Sequence, residues 1–96
     1  MTAYRVGIGY DIHRFAPGRK LFLGGVHIPF TSGLLGHSDA DVVIHAVCDA
    51  LLGAMGEDDI GKHFPDSSNR YKDIASSTIL KKAAVILRNK SYKVVN

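Results

Sequence analysis

Apolar and non-apolar positions alternate with a period of two over residues 6–13, where the sequence reads VGIGYDIH. Such alternation predicts a β-strand with one packing face, formed by the apolar residues, and one open face. Asp11 and His13 share the open face, because side chains two positions apart in a strand point the same way. Gly7 and Gly9 leave space on that face for a ligand or another backbone. The pattern therefore predicts a strand that presents a carboxylate beside an imidazole.

Two shorter apolar runs follow, over residues 20–23 and 26–30. They predict a second and a third strand, and the Gly-Gly pair between them predicts a hairpin. The segment FAPGRK, which precedes the second strand, contains a Pro-Gly pair and predicts a turn or loop. Residues 92–96, YKVVN, have the composition of the start of one more strand.

Helical spacing of apolar residues predicts two α-helices, over about residues 39–52 and 76–89. Ser38 or Asp39 would cap the first helix, and Gly53 and Gly56 would end it. The second helix has an outer face with Lys81, Lys82 and Arg88 and an apolar stripe that we expect to be buried, comprising Ile79, Leu80, Ala83, Ala84, Ile86 and Leu87. Residues 56–73 form a long polar connection between the helices, and loops of that length are usually functional or disordered.

The order of these elements, β-β-β-α-α-β, predicts an α+β fold with a small mixed or antiparallel sheet and helices packed on one face. We expect a ferredoxin-like or chorismate-mutase-like arrangement. The length of 96 residues corresponds to one small domain, residues 1–96. Because a strand opens at residue 92, we expect this domain to continue past residue 96.

Composition and charge narrow the classes of function. The chain is 46% hydrophobic with a formal net charge of +3, which favours anionic ligands such as phosphates. No aromatic-interleaved basic patch or helix-turn-helix spacing is present, so nucleic acid is not an expected partner. Cys48 is the only cysteine, which indicates a reducing compartment. We find neither a signal or transit peptide nor a membrane-spanning run, and we expect a cytoplasmic protein.

Candidate chemistry appears when the first strand is combined with the first helix. Asp11, His13 and His45 form an Asp/His/His set suited to zinc, with a fourth position left for water or substrate. The alternative is three unrelated side chains, with His45 a satisfied core histidine. Cys48 lies one turn beyond His45 and is interpreted as a small hydrophobic residue rather than a ligand.

Two further polar features lie near this set. A spacing of four residues places Asp41, His45 and Asp49 along one helix face, for which a solvated surface is the alternative interpretation. His37 and Ser38 precede the helix and could donate to an anion near its N-terminus; a plain N-cap is the alternative, which explains Ser38 well and His37 not at all.

Four motifs occur in the order and spacing of one family: GYDIHRF, LGGVHIP, GLLGHSDADVVIHAVCDALLGA and DIGKHFPDS. In these motifs the chain closely resembles the 2-C-methyl-D-erythritol 2,4-cyclodiphosphate synthase family of the non-mevalonate isoprenoid pathway. The resemblance implies a lyase that converts 4-diphosphocytidyl-2-C-methyl-D-erythritol 2-phosphate into the cyclic diphosphate and CMP. It also implies a homotrimer with active sites between subunits, and a chain that corresponds to about the first three-fifths of the family's domain.

The resemblance also assigns residues. It implies that Asp11, His13 and His45 bind zinc, that His37 is a catalytic transition-state stabiliser, and that a second divalent metal, magnesium or manganese, is held by a segment following residue 96. The implied substrate-contacting residues are Asp11, Ile12, His13, His37, Ser38, Asp59, Ile60, Gly61, Phe64, Pro65, Asp66, Ser67 and Ser68. The family often has a second acidic residue at the position of Ser68.

Two other classes of function share the predicted metal site. A zinc-dependent phosphohydrolase would release inorganic phosphate instead of CMP. An inactive fragment or zinc-binding domain would bind the metal without turnover.

Overall fold

The computed structural model describes residues 3–36, 38–64 and 75–96. Within these residues four short strands precede three helices. The strands are β1 (Phe15–Pro17), β2 (Leu21–Leu23), β3 (Val26–Ile28) and β4 (Ser32–Leu34). The helices are α1 (Val42–Ala54), α2 (Ile60–His63) and α3 (Ser76–Asn89). The α+β class predicted from the sequence is confirmed.

The described strands form two small antiparallel sheets, β1 with β4 and β2 with β3. The β2–β3 hairpin is the one predicted, and its register pairs Leu23 with Val26 across a two-residue turn. Gly24 and Gly25 both have positive φ, 64° and 82°. A two-residue turn with positive φ at both central positions matches the right-handed twist of the flanking strands, and glycine adopts it without strain.

The second strand pair was not predicted. Residues 15–17 were interpreted as part of a turn, but they pair with residues 32–34 in the register Phe15–Leu34 and Pro17–Ser32. Proline cannot donate a backbone hydrogen bond, so it is tolerated at the end of such a short edge strand. The pairing joins segments far apart in sequence, which local alternation does not reveal.

The strand predicted for residues 6–13 is wrong as a paired strand, because it has no partner strand among the residues that the structure describes. The segment instead runs along α1 in the opposite direction. A Cβ at Gly7 would overlap the carbonyl of Ala50, and one at Gly9 would overlap that of Ala46. Two extended residues span about 6.7 Å and four helical residues span about 6 Å, so alternate residues of the segment meet successive helix turns.

The packing and open faces of this segment are therefore exchanged relative to the prediction. The glycine face, predicted to be open, lies on α1. The missing side chains of the glycines allow the backbone of α1 to come this close. The apolar face, predicted to pack, is 74–93% exposed and comprises Val6, Ile8, Tyr10 and Ile12, with Tyr4 (77% exposed) continuing it.

Gly9 and Gly53 provide a matched test of this contact. We expect Gly9→Ala to lower the free energy of unfolding by about 1–3 kcal/mol, because the added methyl must displace backbone rather than a flexible side chain. Gly53→Ala meets no atom within 4 Å and lies in the last turn of α1, so it should leave stability unchanged or raise it by up to about 1 kcal/mol. Urea denaturation measures both values, and equal effects of the two substitutions would contradict the packing described here.

The core lies mainly between α1 and α3. Its buried members are Ile44, Cys48, Leu52, Met55, Ile79 and Ala83. Leu80, Ile86 and Leu87 pack against them from α3, while Lys81, Lys82 and Arg88 are exposed. The predicted bounds of this helix are confirmed. Its predicted apolar stripe faces the core, with two members buried and the other four, Leu80, Ala84, Ile86 and Leu87, half-buried. A smaller cluster of Leu21, Leu34 and Ala40 joins the sheets to the start of α1.

Two other parts of the chain differ from the predicted elements. Residues 92–96 form no paired strand with the described part of the chain, and Val94 and Val95 are exposed. The polar connection contains α2, which was not predicted because four residues are too few for periodicity to appear. Asp59 caps α2 by accepting from the backbone N–H of Lys62 at 3.1 Å.

The first helix is capped by Asp41, not by Ser38 or Asp39 as predicted. The carboxylate of Asp41 accepts from Ile44 N at 3.1 Å, and also from Gly24 N at 2.9 Å and Gly25 N at 2.6 Å. The side chain is fully buried. The interpretation of Asp41 as part of a solvated face is therefore wrong: it ties the β2–β3 hairpin to the start of α1.

Candidate metal centre

Asp11, His13 and His45 come together where the N-terminal segment crosses α1. The Nδ1 atom of His13 lies 2.9 Å from Asp11 Oδ2, and the Nδ1 atom of His45 lies 3.3 Å from the same oxygen. One ligand atom from each residue lies within 4.8 Å of the others. The structure thus brings together all three predicted metal ligands.

The donor atoms of this group fit a divalent cation. Asp11 Oδ2 and His13 Nδ1 are buried, and neither has a hydrogen-bond partner of acceptable geometry within the described residues, although they lie 2.9 Å apart. Buried polar atoms without partners are costly, and a shared cation would satisfy both. A carboxylate oxygen and two imidazole nitrogens form a donor set typical of zinc and other divalent transition metals. Each side chain also keeps between 9% and 20% of its surface exposed, so a further ligand can reach the group.

The geometry follows from local sequence. Asp11 and His13 are two residues apart, and therefore project from the same side of the segment as Gly7 and Gly9, toward α1. The absence of side chains at the glycines lets the segment approach close enough for His45 to meet Asp11. Gly36 makes room for the His13 ring, since a Cβ there would lie 3.1 Å from its Cδ2 atom.

Ser38 lies beside the metal-binding group. Its Oγ accepts from Ala40 N at 3.1 Å and lies 3.3 Å from His45 Nε2, and the residue is buried. The predicted anion site at the N-terminus of α1 is not supported, because the carboxylate of Asp41 already occupies that terminus. His37, the second residue of that prediction, lies outside the described residues.

The predicted substrate segment is described only in part. Asp59 caps α2, Ile60 and Gly61 form its first turn, and Phe64 follows its end. The backbone N–H of Ile60 donates to Asp49 Oδ1 at 3.0 Å, which fixes the segment to α1 one turn beyond His45. Asp49 is therefore an anchor for this segment rather than part of a solvated face. Pro65, Asp66, Ser67 and Ser68 lie outside the described residues.

Cys48 has no part in the metal-binding group. It is fully buried in the core between α1 and α3. Burial, reinforced by the negative charges of Asp49 and Asp41, raises the pKa of its thiol to about 11. Because the thiolate is the reactive and metal-binding form, Cys48 is a structural residue at neutral pH.

Two residues beside the group were not predicted as part of the site, one that contacts His45 and one that holds the first in place. Ser76, the first residue of α3, places its Oγ 2.9 Å from His45 Nε2, and Asp39 accepts from Ser76 N at 3.0 Å. Ser76 lies 31 positions from His45. A separation of this kind leaves no periodic signal, so only the packing of α3 on α1 reveals the contact.

Among the helices that the structure describes, none combines the length and apolar character needed to cross a lipid bilayer.

Comparison with known proteins agrees with the geometry. The sequence profile of the YgbB family matches residues 4–96. The 2-C-methyl-D-erythritol 2,4-cyclodiphosphate synthase of Caldicellulosiruptor bescii is 66% identical over 93 residues, which are 97% of this chain and 59% of that protein. The chain thus spans about three-fifths of the length of this relative.

Solved structures give the same result. A 2C-methyl-D-erythritol-2,4-cyclodiphosphate synthase superimposes with a TM-score of 0.84 at 42% identity, covering 91% of this chain and 58% of that one. The IspF of Plasmodium falciparum in its CDP complex gives a TM-score of 0.77 at 37% identity, covering 96% of this chain and 55% of that one. From the profile match, the sequence identity and the superposition together, we conclude that the chain belongs to the YgbB family, whose matching curated members are 2-C-methyl-D-erythritol 2,4-cyclodiphosphate synthases.

Proposed function

We propose that this chain carries the metal-binding part of a 2-C-methyl-D-erythritol 2,4-cyclodiphosphate synthase. The observation that carries the proposal is the convergence of Asp11 Oδ2, His13 Nδ1 and His45 Nδ1, which are unsatisfied or paired only with one another, in a chain of this family. The reaction converts 4-diphosphocytidyl-2-C-methyl-D-erythritol 2-phosphate into the cyclic diphosphate and releases CMP. A phosphorus-oxygen lyase of this kind needs no covalent intermediate with the protein.

Asp11, His13 and His45 would hold zinc at the edge of α1. Zinc bound there supplies positive charge to diphosphate oxygens as a Lewis acid. The attacking phosphate and the diphosphate belong to one molecule, so the main task of the protein is to hold both ends in line. The partial exposure of the three side chains leaves an open direction from which a diphosphate can approach.

The remaining substrate contacts are proposed from the sequence. Residues 59–61 would hold the methylerythritol hydroxyls, and residues 64–68 would contact the substrate further along the same segment. The anchoring of Ile60 to Asp49 supports this placement, because it holds the start of the segment near the metal-bearing helix. Ile12 and Ser38 flank the metal-binding group, and His37 would stabilise charge that develops in the transition state.

We further propose a homotrimer with the active sites between subunits. The exposed apolar row formed by Tyr4, Val6, Ile8, Tyr10 and Ile12 is a surface that the remainder of the domain or a neighbouring subunit would cover. Residues 1–96 would form one part of a single ferredoxin-like or chorismate-mutase-like domain. A second divalent metal, magnesium or manganese, would bind residues that this chain does not contain. The protein would act in the cytoplasm on a small cytidyl-diphosphate substrate, without nucleic acid or membrane partners.

The experiment incubates the purified protein with the cytidyl substrate, zinc and magnesium, and follows the products by phosphorus NMR. Formation of CMP with the cyclic diphosphate supports the proposal. Release of inorganic phosphate would instead identify a phosphohydrolase. A protein that binds one zinc per chain and gives no product would be a metal-binding portion that does not turn over by itself. A chelator-treated sample is the control, and product formation that does not change in it would contradict a role for the metal.

A further inference from the structure

We propose that Ser76 and Asp39 are positioning residues, which hold His45 as the tautomer protonated at Nε2 and so present its Nδ1 atom to the metal. The inference rests on the proposed metal site. It concerns two residues that lie outside the predicted ligand and substrate sets, on α3 and just before α1.

Ser76 lies between His45 and Asp39. The residue is fully buried, and its Oγ lies 2.9 Å from His45 Nε2. On its other side the hydroxyl makes a hydrogen bond to Asp39 Oδ1. The backbone N–H of Ser76 also donates to Asp39 Oδ2, at 3.0 Å. Asp39 thus accepts hydrogen bonds from both the main chain and the side chain of the first residue of α3.

The chemistry of the three side chains determines which atom donates in each of these hydrogen bonds. An ionised carboxylate only accepts, so the Ser76 hydroxyl donates its single proton to Asp39. The Ser76 oxygen then has only lone pairs to offer His45, and Nε2 must carry the proton that it accepts. Nδ1 of His45 is left with its lone pair. This atom lies 3.3 Å from Asp11 Oδ2, but that oxygen has no hydrogen bond of acceptable geometry within the described residues, so Asp11 does not hold a proton on Nδ1.

Ser38 does not provide the same constraint. Its Oγ is further from His45 Nε2, at 3.3 Å, and already accepts from Ala40 N. Within the described residues the Ser38 hydroxyl has no carboxylate to accept its proton, so it can donate either to Ser76 Oγ, 3.5 Å away, or to His45. A hydroxyl with that freedom allows both tautomers, whereas the Ser76–Asp39 pair allows one.

The expected consequence is on metal affinity. A ligating histidine is held in orientation and tautomer by the partner of its other nitrogen, and loss of such a partner typically costs about 10–100-fold in affinity. Ser76→Ala removes the acceptor at Nε2 and leaves all three ligands in place. Ser77→Ala is the matched control, because Ser77 is the next residue of the same helix and is exposed.

The first measurement needs neither a variant nor a metal. Long-range proton–nitrogen NMR of the metal-free protein, at an alkaline pH where imidazoles are neutral, reports the His45 tautomer directly. We expect Nε2–H in the wild-type protein and in Ser77→Ala, and a mixture of tautomers in Ser76→Ala. A wild-type His45 protonated at Nδ1 would overturn the inference, whether or not the variant folds.

The second measurement is competition for zinc with a chromophoric chelator. We expect the dissociation constant to rise about 10–100-fold in Ser76→Ala and to change less than about twofold in Ser77→Ala. Equal affinities of wild type and Ser76→Ala would overturn the positioning role. A wild-type protein that binds no zinc, yet keeps the Nε2–H tautomer and loses it in Ser76→Ala, would overturn the proposed metal site while supporting the action of Ser76 on His45.

Discussion

Replacement of His45 by alanine is expected to lower the zinc affinity of the protein at least about a hundredfold. Bound zinc in small protein sites is stabilised by about 10–16 kcal/mol shared among its ligands, so removing one ligand of three costs at least about 3 kcal/mol. The loss also removes the nitrogen that lies 3.3 Å from Asp11 Oδ2 and leaves His13 Nδ1, at 2.9 Å, as the other member of the group beside that oxygen. Metal content after dialysis and chelator competition measure the change.

His27→Ala is the matched control for this substitution. His27 is exposed on β3, where its ring lies against Phe22, away from the metal-binding group. Its removal should leave zinc content within experimental error of the wild-type protein. Undiminished zinc in the His45 variant, or equal loss in both variants, would contradict the assignment of His45 as a ligand.

Replacement of Asp41 by alanine is expected to have the largest effect on folding, a loss of about 3–5 kcal/mol in the free energy of unfolding. The carboxylate is fully buried and accepts from three backbone N–H groups, of Gly24, Gly25 and Ile44. A lost N-cap costs about 1 kcal/mol, and each hydrogen bond from the exposed Gly24 and Gly25 to the charged carboxylate contributes about 1–2 kcal/mol, since water can replace the carboxylate in part. Domains are usually stable by only about 5–15 kcal/mol, so this loss is a large share of the total.

Two other aspartate substitutions test whether the lost hydrogen bonds of Asp41 cause this decrease in stability. Asp58 is exposed, so Asp58→Ala should change stability by less than about 0.5 kcal/mol. Asp41→Asn keeps a carbonyl oxygen at the Oδ1 position for the N–H groups of Ile44 and Gly24 but directs an amide N–H₂ at the N–H of Gly25, so its stability should fall between those of the wild type and the alanine variant. Urea denaturation gives all three values. A stable Asp41→Ala protein would show that the hairpin and α1 are held together by other contacts.

The features that the sequence predicted correctly are those determined by near neighbours in the chain. Gly24 and Gly25 predicted the β2–β3 hairpin because the turn needs two consecutive residues with positive φ. The apolar stripe of α3 predicted both its bounds and its buried side, since helical periodicity extends over fourteen residues there. Asp11 and His13 were predicted as metal ligands because they are two positions apart in an alternating segment. His45 was added from the first helix, and the four motifs imply the same set.

The features that the sequence did not predict depend on contacts between distant segments. Alternation over residues 6–13 cannot distinguish a strand in a sheet from an extended segment on a helix, and only the positions of Ala46 and Ala50 against the glycines decide between them. The pairing of β1 with β4 and the short helix α2 likewise leave no periodic pattern.

The sequence by itself determined which side chains could bind a metal, because the spacing of Asp11 and His13 and the family motifs are local properties. Only the tertiary structure decided what surrounds them. It showed that Asp41, for which a solvated face was one of the interpretations, is buried, and it brought Ser76 from 31 positions away to within 2.9 Å of His45. The physical reason is that a hydrogen bond between two buried groups depends on how α1 and α3 pack, and no pattern within either helix encodes that distance.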